Sequence, residues 1–241
     1  MLLSDKTVLV TGASQGIGQY LCVHFTQKCA RVIGVARSES GLKETADLIS
    51  DAGGRFDWHI ADLSKVESLK TLAATLQGDN VGIDVLIHNA ADVTSKSFED
   101  TSLDEMDRLV RTNVTGPLQL TRLLLPLMAD RRDPSIVTIS SLAGYKPNPA
   151  QTVYSVTKWA VNGLAQALRA DLGPKGFHVL NVALSSVGTR HATGPGQVPV
   201  ADFAQALERA IKRREDELFL SGASKWLMRL YQLCPPLARV R

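Results

Sequence analysis

Three residues near the middle of the chain have the types and the spacing needed to transfer a proton. Tyr154 and Lys158 lie four residues apart in a segment with helical periodicity, so both side chains project from one helix face. Ser141 stands thirteen residues before Tyr154, at the carboxyl end of a predicted strand. A free tyrosine has a pKa of about 10, and a neighbouring ammonium group favours the phenolate, which would suit acid and base chemistry. In the alternative interpretation, Tyr154 and Lys158 are two amphipathic side chains that only cover a helix surface.

A glycine-rich segment near the amino terminus could bind a phosphate group. Gly12, Gly16 and Gly18 follow a predicted strand directly and open a predicted helix. Glycine lets the backbone turn tightly and approach a pyrophosphate, while the helix amino terminus supplies free amides and the positive end of a dipole. The alternative is a tight turn between a strand and a helix. The position after a buried strand favours a dinucleotide site.

Apolar β-branched runs alternate with helical patterns along nearly the whole chain, which is typical of a parallel sheet covered on both faces. The predicted strands are near 6–11, 31–36, 56–61, 83–88, 135–140, 177–183 and 217–220. The predicted helices are near 16–28, 39–51, 64–77, 102–129, 151–172, 201–213 and 224–233. Two helix starts carry capping-box patterns, Ser64 with Glu67 and Ser102 with Glu105. The expected fold class is α/β, a doubly wound Rossmann-type parallel sheet of about seven strands.

The composition restricts the classes of protein that remain. The 241 residues, 44% of them hydrophobic, suffice for a single domain, 1–241, without disulfide staples. The formal net charge of +3 argues against a nucleic-acid partner. Cys22, Cys29 and Cys234 lack metal-ligand spacing, so we expect neither a disulfide framework nor a metal site. Neither a signal peptide nor a membrane span is predicted, and the expected location is cytoplasmic.

Taken together, these motifs resemble those of the short-chain dehydrogenase/reductase family. The resemblance rests on the T-G-x-x-x-G-x-G turn at 11–18 and the Y-x-x-x-K pair at 154–158, and it extends over about 6–189. It implies a catalytic set of Asn113, Ser141, Tyr154 and Lys158. In this set Tyr154 is the general acid and base, Lys158 binds the nicotinamide ribose, and Ser141 polarises the substrate oxygen. Ser140 is the neighbouring alternative to Ser141.

Asn113 lies in a long helical segment that contains a proline. Pro117 lacks the amide that would normally bond the Asn113 carbonyl, so the local pattern predicts a kink and a free carbonyl. The resemblance implies that this carbonyl holds a water in a proton relay that reaches Lys158. A kinked helix without that role is the alternative.

The resemblance also implies a nicotinamide dinucleotide, and the end of the second strand indicates which one. Ala36 stands where an NAD-type acid would stand, and Arg37 and Ser38 can bind a 2′-phosphate. NADP(H) is therefore preferred, with NAD(H) as the alternative, although Glu39 lies close enough to compete for Arg37. The predicted cofactor contacts are Gly12, Ser14, Gln15, Gly16, Ile17, Gly18, Arg37, Ser38, Asp62, Leu63, Asn89, Ala90, Tyr154, Lys158, Val187 and Thr189.

Two of the predicted cofactor segments follow the third and fourth predicted strands. Asp62 matches the family position that accepts a hydrogen bond from the adenine amino group, and its alternative role is to cap the helix that follows. Asn89 and Ala90 match the family's N-N-A-G segment along the adenosine ribose, where His88 replaces the first Asn. We expect His88 to be a hydrogen-bonded structural side chain and not a base.

The chain departs from the family after the sixth predicted strand. Leu184 and Ser185 replace the usual Pro-Gly pair, while Val187 and Thr189 are kept. Residues 190–241 form a short substrate loop and a carboxyl-terminal tail. The tail has an apolar stripe of Trp226, Leu227, Leu230 and Leu233. It could pack on its own sheet or a partner subunit, form a wall of an apolar substrate pocket, or contact a membrane surface.

The sequence therefore predicts an NADP(H)-dependent oxidoreductase that interconverts a small carbonyl compound and an alcohol by hydride transfer. The resemblance implies a homodimer or a homotetramer. One alternative is an NAD-dependent alcohol dehydrogenase of the same family. The other is a nucleotide-binding regulatory protein with weak catalysis, against which the complete set of Asn113, Ser141, Tyr154 and Lys158 argues.

Overall fold

Seven parallel strands form one sheet at the centre of the molecule. The computed structural model describes residues 3–28, 31–51, 54–185, 187–188, 197–220 and 222–233, without the side chains of 222–224 and 232–233. Its strands are β1 (Thr7–Thr11), β2 (Arg31–Ala36), β3 (Phe56–Ile60), β4 (Val85–His88), β5 (Ser135–Ser141), β6 (His178–Leu184), β7 (Val187–Gly188), β8 (Val198–Pro199) and β9 (Glu217–Phe219). The sheet order is β3-β2-β1-β4-β5-β6-β9, and β7 pairs with β8 separately. This order confirms the doubly wound fold class.

Helices connect the strands of the sheet. They are α1 (Gly16–Thr26), α2 (Glu39–Ser50), α3 (Val66–Gly78), α4 (Leu103–Val110), α5 (Gly116–Met128), α6 (Thr152–Leu172), α7 (Val200–Arg213) and α8 (Gly222–Leu233). The helix predicted near 102–129 contains a π-helical turn at Arg111–Thr115, between α4 and α5. Pro117 explains this bulge, because it has no amide to continue the α-helical pattern. None of the helices described is both long enough and apolar enough to cross a bilayer.

Two apolar cores cover the two faces of the sheet. Val8 of β1 packs in one core with Phe25 of α1 and Leu207 of α7. The adjacent Leu9 points to the other face and packs in a core with Leu124 of α5. Successive residues of a strand point to opposite faces, so burial on both faces requires the continuous apolar runs seen in the sequence.

One predicted helix start is confirmed and one is wrong. The Ser102 side chain accepts a hydrogen bond from the Glu105 amide, and the Glu105 carboxylate accepts one from the Ser102 amide, which completes a capping box. At the other start, α3 begins at Val66 after Lys65, without a side-chain cap. Ser64 instead donates its hydroxyl to Asp62 Oδ1 at 2.7 Å. The nearby carboxylate therefore binds the serine that the pattern assigned to the helix.

A buried carboxylate at the amino ends of the strands joins distant parts of the chain. Asp84, whose side chain is fully buried, accepts hydrogen bonds from the Thr7 amide at 2.9 Å, from Lys6 Nζ at 2.9 Å and from Arg131 Nη2 at 2.8 Å. Burial acts to raise the pKa of Asp84, but these hydrogen bonds and the Lys6 charge outweigh it and lower the pKa. Asp84 therefore ties β1, β4 and the segment after α5 together.

Candidate functional site

The candidate site lies at the carboxyl edge of the parallel sheet. β1 runs into the glycine-rich turn, β4 is followed by Asn89, and β5 ends at Ser141. β4 pairs with β1 on the side opposite β2, so the strand order reverses between β1 and β4. Ligands of open α/β sheets bind outside the carboxyl ends of the strands at such a switch point.

Two glycines of the turn are required by close packing. A Cβ atom on Gly12, whose φ is +72°, would lie 2.8 Å from Asn89 Nδ2 and 2.9 Å from Ala90 Cα. A Cβ atom on Gly18 would lie 2.1 Å from the Gly12 carbonyl oxygen. No larger residue fits at either position without movement of the backbone. The turn is thus packed tightly against both α1 and the segment after β4.

The amino terminus of α1 is open to an anion. Gln15 precedes the helix without a side-chain hydrogen bond to its amides, and the first turn contains no acidic residue. Gly16 has a φ of +59°, and no atom lies within 4 Å of the position that its Cβ would take. Free amides, the helix dipole and open space together fit a phosphate group.

A cleft of about 460 Å³ extends from this turn along the edge of the sheet. Every cofactor contact predicted between Gly12 and Ala90 lines it. Four further lining residues are absent from the predicted set: Ala36, Ala61, Ala91 and Thr112. Thr112 has a buried hydroxyl without a hydrogen-bond partner among the residues described. It lies in the π-helical turn, and only the packing of that turn beside β4 brings it to the cleft.

Arg37 is exposed at the end of β2, on the rim of the cleft. Glu39, the expected competitor, instead forms an ion pair with Lys43 at 2.7 Å along α2. Ser38 also caps α2, because its Oγ accepts a hydrogen bond from the Gly41 amide at 3.2 Å. Arg37 therefore lines a cleft in which, among the residues described, Asp62 is the acidic side chain.

Asp62 faces the same cleft as a charged carboxylate. Its Oδ1 accepts hydrogen bonds from both the amide and the hydroxyl of Ser64, at 3.0 and 2.7 Å. Burial acts to raise the pKa of Asp62, but these two hydrogen bonds and the charges of Arg37 and Lys65 lower it overall. The local turn thus fixes one carboxylate oxygen of Asp62 before α3 begins.

Asn89 and His88 both serve the structure around the cleft. Asn89 Nδ2 donates to the Thr11 carbonyl at 2.9 Å, and its amide donates to Thr11 Oγ1 at 3.1 Å, which holds the glycine turn against the end of β4. His88 is buried, and its Nε2 lies 2.8 Å from Thr121 Oγ1. Burial lowers the pKa of His88 to about 4, so the ring is neutral near pH 7. His88 is a structural side chain, as expected.

Ser141, Tyr154 and Lys158 lie together beyond the end of β5. The Ser141 hydroxyl lies near enough to the Tyr154 phenol to act on its pKa, which it lowers. Lys158 Nζ lies 5.6 Å from the Tyr154 ring centroid and donates to the Ile139 carbonyl at 2.8 Å. Ser140, by contrast, is buried and its hydroxyl donates to the Lys158 carbonyl at 3.2 Å. The geometry therefore favours Ser141 over Ser140 as the residue that faces Tyr154.

Burial shifts the pKa values of Tyr154 and Lys158 in the directions that favour the neutral phenol and the neutral amine. It raises the pKa of Tyr154, against the opposing effect of the Ser141 hydrogen bond. It lowers the pKa of Lys158 to about 8. From the sequence we expect Lys158 to lower the pKa of Tyr154, but desolvation dominates among the side chains of the protein. Tyr154 is therefore a neutral phenol near pH 7.

Asn113 uses its whole side chain to hold the site together. Its Oδ1 accepts from the Asp92 amide at 2.7 Å, while its Nδ2 donates to the Asp92 carbonyl at 2.8 Å and to Thr157 Oγ1 at 3.1 Å. These bonds connect the π-helical turn, the segment after β4 and α6. Pro117 has no amide to bond the main-chain carbonyl of Asn113 in the α-helical pattern.

The remaining predicted contacts are only partly described. Tyr154, Lys158 and Val187 are not among the residues that line the cleft. Val187 lies in β7, half-buried and packed against the core that contains Phe203. Thr189 and residues 190–196 lie outside the described residues, as do Cys29 and Cys234.

The chain is similar to known proteins over most of its length. A family model described as short chain dehydrogenase matches residues 6–196. Ketoacyl reductase HetN of Nostoc sp. is 34% identical over 229 residues, which cover 91% of this chain and 79% of that protein.

Solved structures are similar in fold as well. A short-chain dehydrogenase from Sphingobium yanoikuyae in complex with NADPH superposes with a TM-score of 0.83 and 28% identity, covering 98% of this chain and 96% of that chain. A bulky-bulky ketone specific alcohol dehydrogenase from Comamonas testosteroni superposes with a TM-score of 0.83 and 29% identity, covering 98% and 95%.

Proposed function

This chain belongs to the short-chain dehydrogenase family, and we propose that it is an NADP(H)-dependent oxidoreductase that interconverts a carbonyl compound and an alcohol. The observation that carries the proposal is the group of Ser141, Tyr154 and Lys158 at the same sheet edge as the glycine-lined cleft. Proton transfer and dinucleotide binding would thus take place at the same edge of the sheet. The similarity to a ketoacyl reductase and to a ketone-specific alcohol dehydrogenase supports the reaction class.

The residues of the cleft fit a dinucleotide. The open amino terminus of α1 would hold its phosphates, since it offers free amides without a competing acid. Asp62, with Asn89 and Ala90 beside it, would contact the adenosine half. When bound, the nicotinamide supplies a hydride to the substrate carbon or accepts one from it.

Arg37 supports NADP(H) as the preferred form of the cofactor. Its guanidinium is exposed on the rim of the cleft, and Ala36 leaves no carboxylate at the end of β2. A guanidinium can make two charge-assisted hydrogen bonds to a 2′-phosphate. The related structure from Sphingobium yanoikuyae, which contains NADPH, supports the same preference.

In our proposed mechanism, Tyr154 transfers the proton. The neutral phenol donates its proton to the carbonyl oxygen as negative charge develops there, and the reverse reaction begins with the phenolate. The Ser141 hydroxyl stabilises the same oxygen by a hydrogen bond. The Lys158 ammonium favours the phenolate that remains after the transfer, and the carbonyl of Asn113 would hold a water that returns a proton toward Lys158.

An assay with a panel of ketones, aldehydes and 3-ketoacyl thioesters tests the proposal. We expect oxidation of NADPH with at least one carbonyl class, and slower turnover with NADH. NADPH binding without turnover across the whole panel would contradict the enzymatic role and favour a nucleotide-binding regulatory protein. Faster turnover with NADH would favour the NAD-dependent alternative.

We further propose a single domain, 1–241, that assembles into homo-oligomers. The two cores share one sheet, which supports a single domain.

Large apolar side chains are exposed on α4 and α6, which pack together: Leu103 by 82%, Val156 by 59% and Trp159 by 43%. Exposed apolar side chains on two helices that pack together support a subunit contact. We expect light scattering to give a dimer or a tetramer, and a smaller species for Trp159→Glu; a monomeric wild-type protein would contradict the proposal.

A further inference from the structure

We propose that Tyr145 is a positioning residue for the catalytic set, and that the carboxyl-terminal helix α8 acts on the active site through it. Tyr145 lies in the segment 142–151, which connects Ser141 to Tyr154. A shift of this segment would change the position of Ser141 relative to Tyr154. The kinetic part of the inference rests on the proposed function, whereas its structural part does not.

Residues of β9 and α8 pack against the buried side chain of Tyr145. Its side chain is only 4% exposed, and its ring centroid lies 5.3 Å from that of Phe219. Met228 of α8 is 5% exposed and belongs to the same apolar cluster as Tyr145 and Ala183. The inner face of α8 is thus packed against the segment that follows the candidate catalytic serine.

A second contact fixes the same segment to α8. Lys146 Nζ lies 5.0 Å from the ring centroid of Tyr231, a cation–π arrangement. The opposite face of α8 makes no comparable contact with the segment, since Trp226 is 76% exposed and Leu230 is 49% exposed. Met228 and Tyr231 therefore mark the functional face of the helix, although the sequence stripe points to Trp226, Leu227 and Leu230.

Buried polar side chains connect Tyr145 to the neighbourhood of Lys158. Asn181 Nδ2 lies 3.2 Å from the Tyr145 hydroxyl and donates to Asn162 Oδ1 at 3.0 Å. Asn162 Nδ2 in turn donates to the Gly144 carbonyl at 2.6 Å. Asn162 lies one helical turn after Lys158 on α6. The network therefore joins the segment after Ser141 to the helix that carries Tyr154 and Lys158.

The segment also lies against α6 with no space to move inward. A Cβ atom on Gly144 would lie 2.7 Å from the Lys158 carbonyl oxygen and 2.8 Å from Asn162 Nδ2. Burial raises the pKa of Tyr145 to about 12, so its hydroxyl stays neutral and keeps its hydrogen bond throughout the neutral range. Tyr145 thus acts as a fixed support and not as a second acid.

Two substitutions test whether this support sets the rate. We expect Tyr145→Phe, which removes only the hydroxyl, and Tyr231→Leu, which removes the ring below Lys146, each to lower kcat about tenfold through misplacement of the reacting groups. The KM for the carbonyl substrate and the Kd for NADPH should change little. Tyr231→Phe keeps the ring and should restore kcat, and Leu230→Ala on the exposed face of α8 is the matched control. A raised KM with unchanged kcat would overturn the positioning role.

Amide hydrogen exchange supplies a readout that does not need turnover. The amides of Tyr145 and Lys146 both donate to the Leu142 carbonyl, at 3.0 and 2.9 Å. We expect Tyr231→Leu and Tyr145→Phe to speed exchange at these two amides about tenfold, while exchange in the sheet core stays unchanged. Unchanged exchange at both amides would overturn the inference. If the wild-type protein reduces no carbonyl, the proposed function fails and hydrogen exchange alone decides the structural part.

Discussion

Tyr154 is subject to two opposing effects. Burial disfavours the phenolate and raises its pKa, while the Ser141 hydroxyl stabilises the charged form. Lys158, 5.6 Å from the ring centroid, is itself driven toward the neutral amine by burial, since its pKa falls to about 8. Burial thus keeps Tyr154 protonated near pH 7, which would suit the reductive direction of the proposed reaction.

Removal of the Tyr154 hydroxyl should abolish turnover without loss of cofactor binding. We expect Tyr154→Phe to lower kcat by roughly 10²- to 10⁴-fold, the usual contribution of a general acid. The NADPH Kd from fluorescence titration should stay within a small factor of the wild-type value. Tyr20→Phe on α1 is a matched control, as it removes a phenol outside the site. Near-normal kcat in Tyr154→Phe would refute the assigned role.

Arg37 should discriminate between the two nicotinamide cofactors. We expect Arg37→Ala to weaken NADPH binding by about 2 kcal/mol, because a charge-assisted bidentate contact is lost, and to leave NADH binding nearly unchanged. Calorimetric titration of both cofactors measures the difference. An equal loss for NADH would show that the substitution disturbs the fold of the cleft and not the recognition of a phosphate.

At the scale of elements, the site depends on three close contacts between segments. The glycine turn packs on α1 and on the end of β4, with Gly12 and Gly18 at the points of contact. The side chain of Asn113 connects the π-helical turn to the segment after β4 and to α6. Tyr145 connects the segment after β5 to α8. Each contact fixes an element end that carries functional groups.

The Gly18 contact gives a direct test of the turn. We expect Gly18→Ala to abolish NADPH binding and to destabilise the fold by at least about 2 kcal/mol, because its Cβ would lie 2.1 Å from the Gly12 carbonyl oxygen. Gly78→Ala is the control, since nothing lies within 4 Å of its Cβ, and it should change stability by less than about 0.5 kcal/mol. Thermal unfolding and fluorescence titration measure both effects. Wild-type NADPH affinity in Gly18→Ala would contradict the packing argument.

At the scale of the whole molecule, the candidate site lies at the carboxyl ends of the strands, and a buried carboxylate with its ion pairs lies at their amino ends. The carboxyl ends of the strands carry the cleft and the catalytic set, while the amino end of β4 carries the buried Asp84. Lys6, before β1, and Arg131, after α5, both bind this carboxylate. The Asp84 cluster therefore lies at the opposite end of the sheet from the candidate site, where a substitution can change stability without touching the cleft.

Asp84 should make stability depend on pH in the acid range. Its pKa is lower in the folded protein, so its contribution is fully present above the unfolded value of about 3.9 and is lost as the pH falls through the folded pKa. We expect Asp84→Asn to destabilise the protein by about 3 kcal/mol at pH 7, with a difference from wild type that shrinks below pH of about 4. Urea unfolding at several pH values measures this. Asp130→Asn, an exposed acid, is the control, and a pH-independent difference for Asp84→Asn would contradict the argument.

The sequence by itself determined the class of fold and predicted which residues form the candidate site. All seven strands of the main sheet were predicted, and the apolar runs marked the central ones, because a strand buried on both faces is apolar on both. The edge strands β3 and β9 are only half-buried and include Asp57, His59 and Glu217. Helical periodicity put Tyr154 and Lys158 on one face of α6, since that relation depends only on local geometry. The glycine spacing likewise predicted the turn between β1 and α1, because a turn also depends only on local geometry.

Only the tertiary structure decided which groups meet across long stretches of chain. It placed Thr112 in the cleft and brought α8 into contact with Tyr145. It also set the directions of the pKa shifts of Tyr154 and Lys158, whereas from the sequence alone we expect the Lys158 ammonium to lower the pKa of Tyr154. Desolvation and remote contacts depend on which segments pack together in space, and no local pattern of residues records that packing.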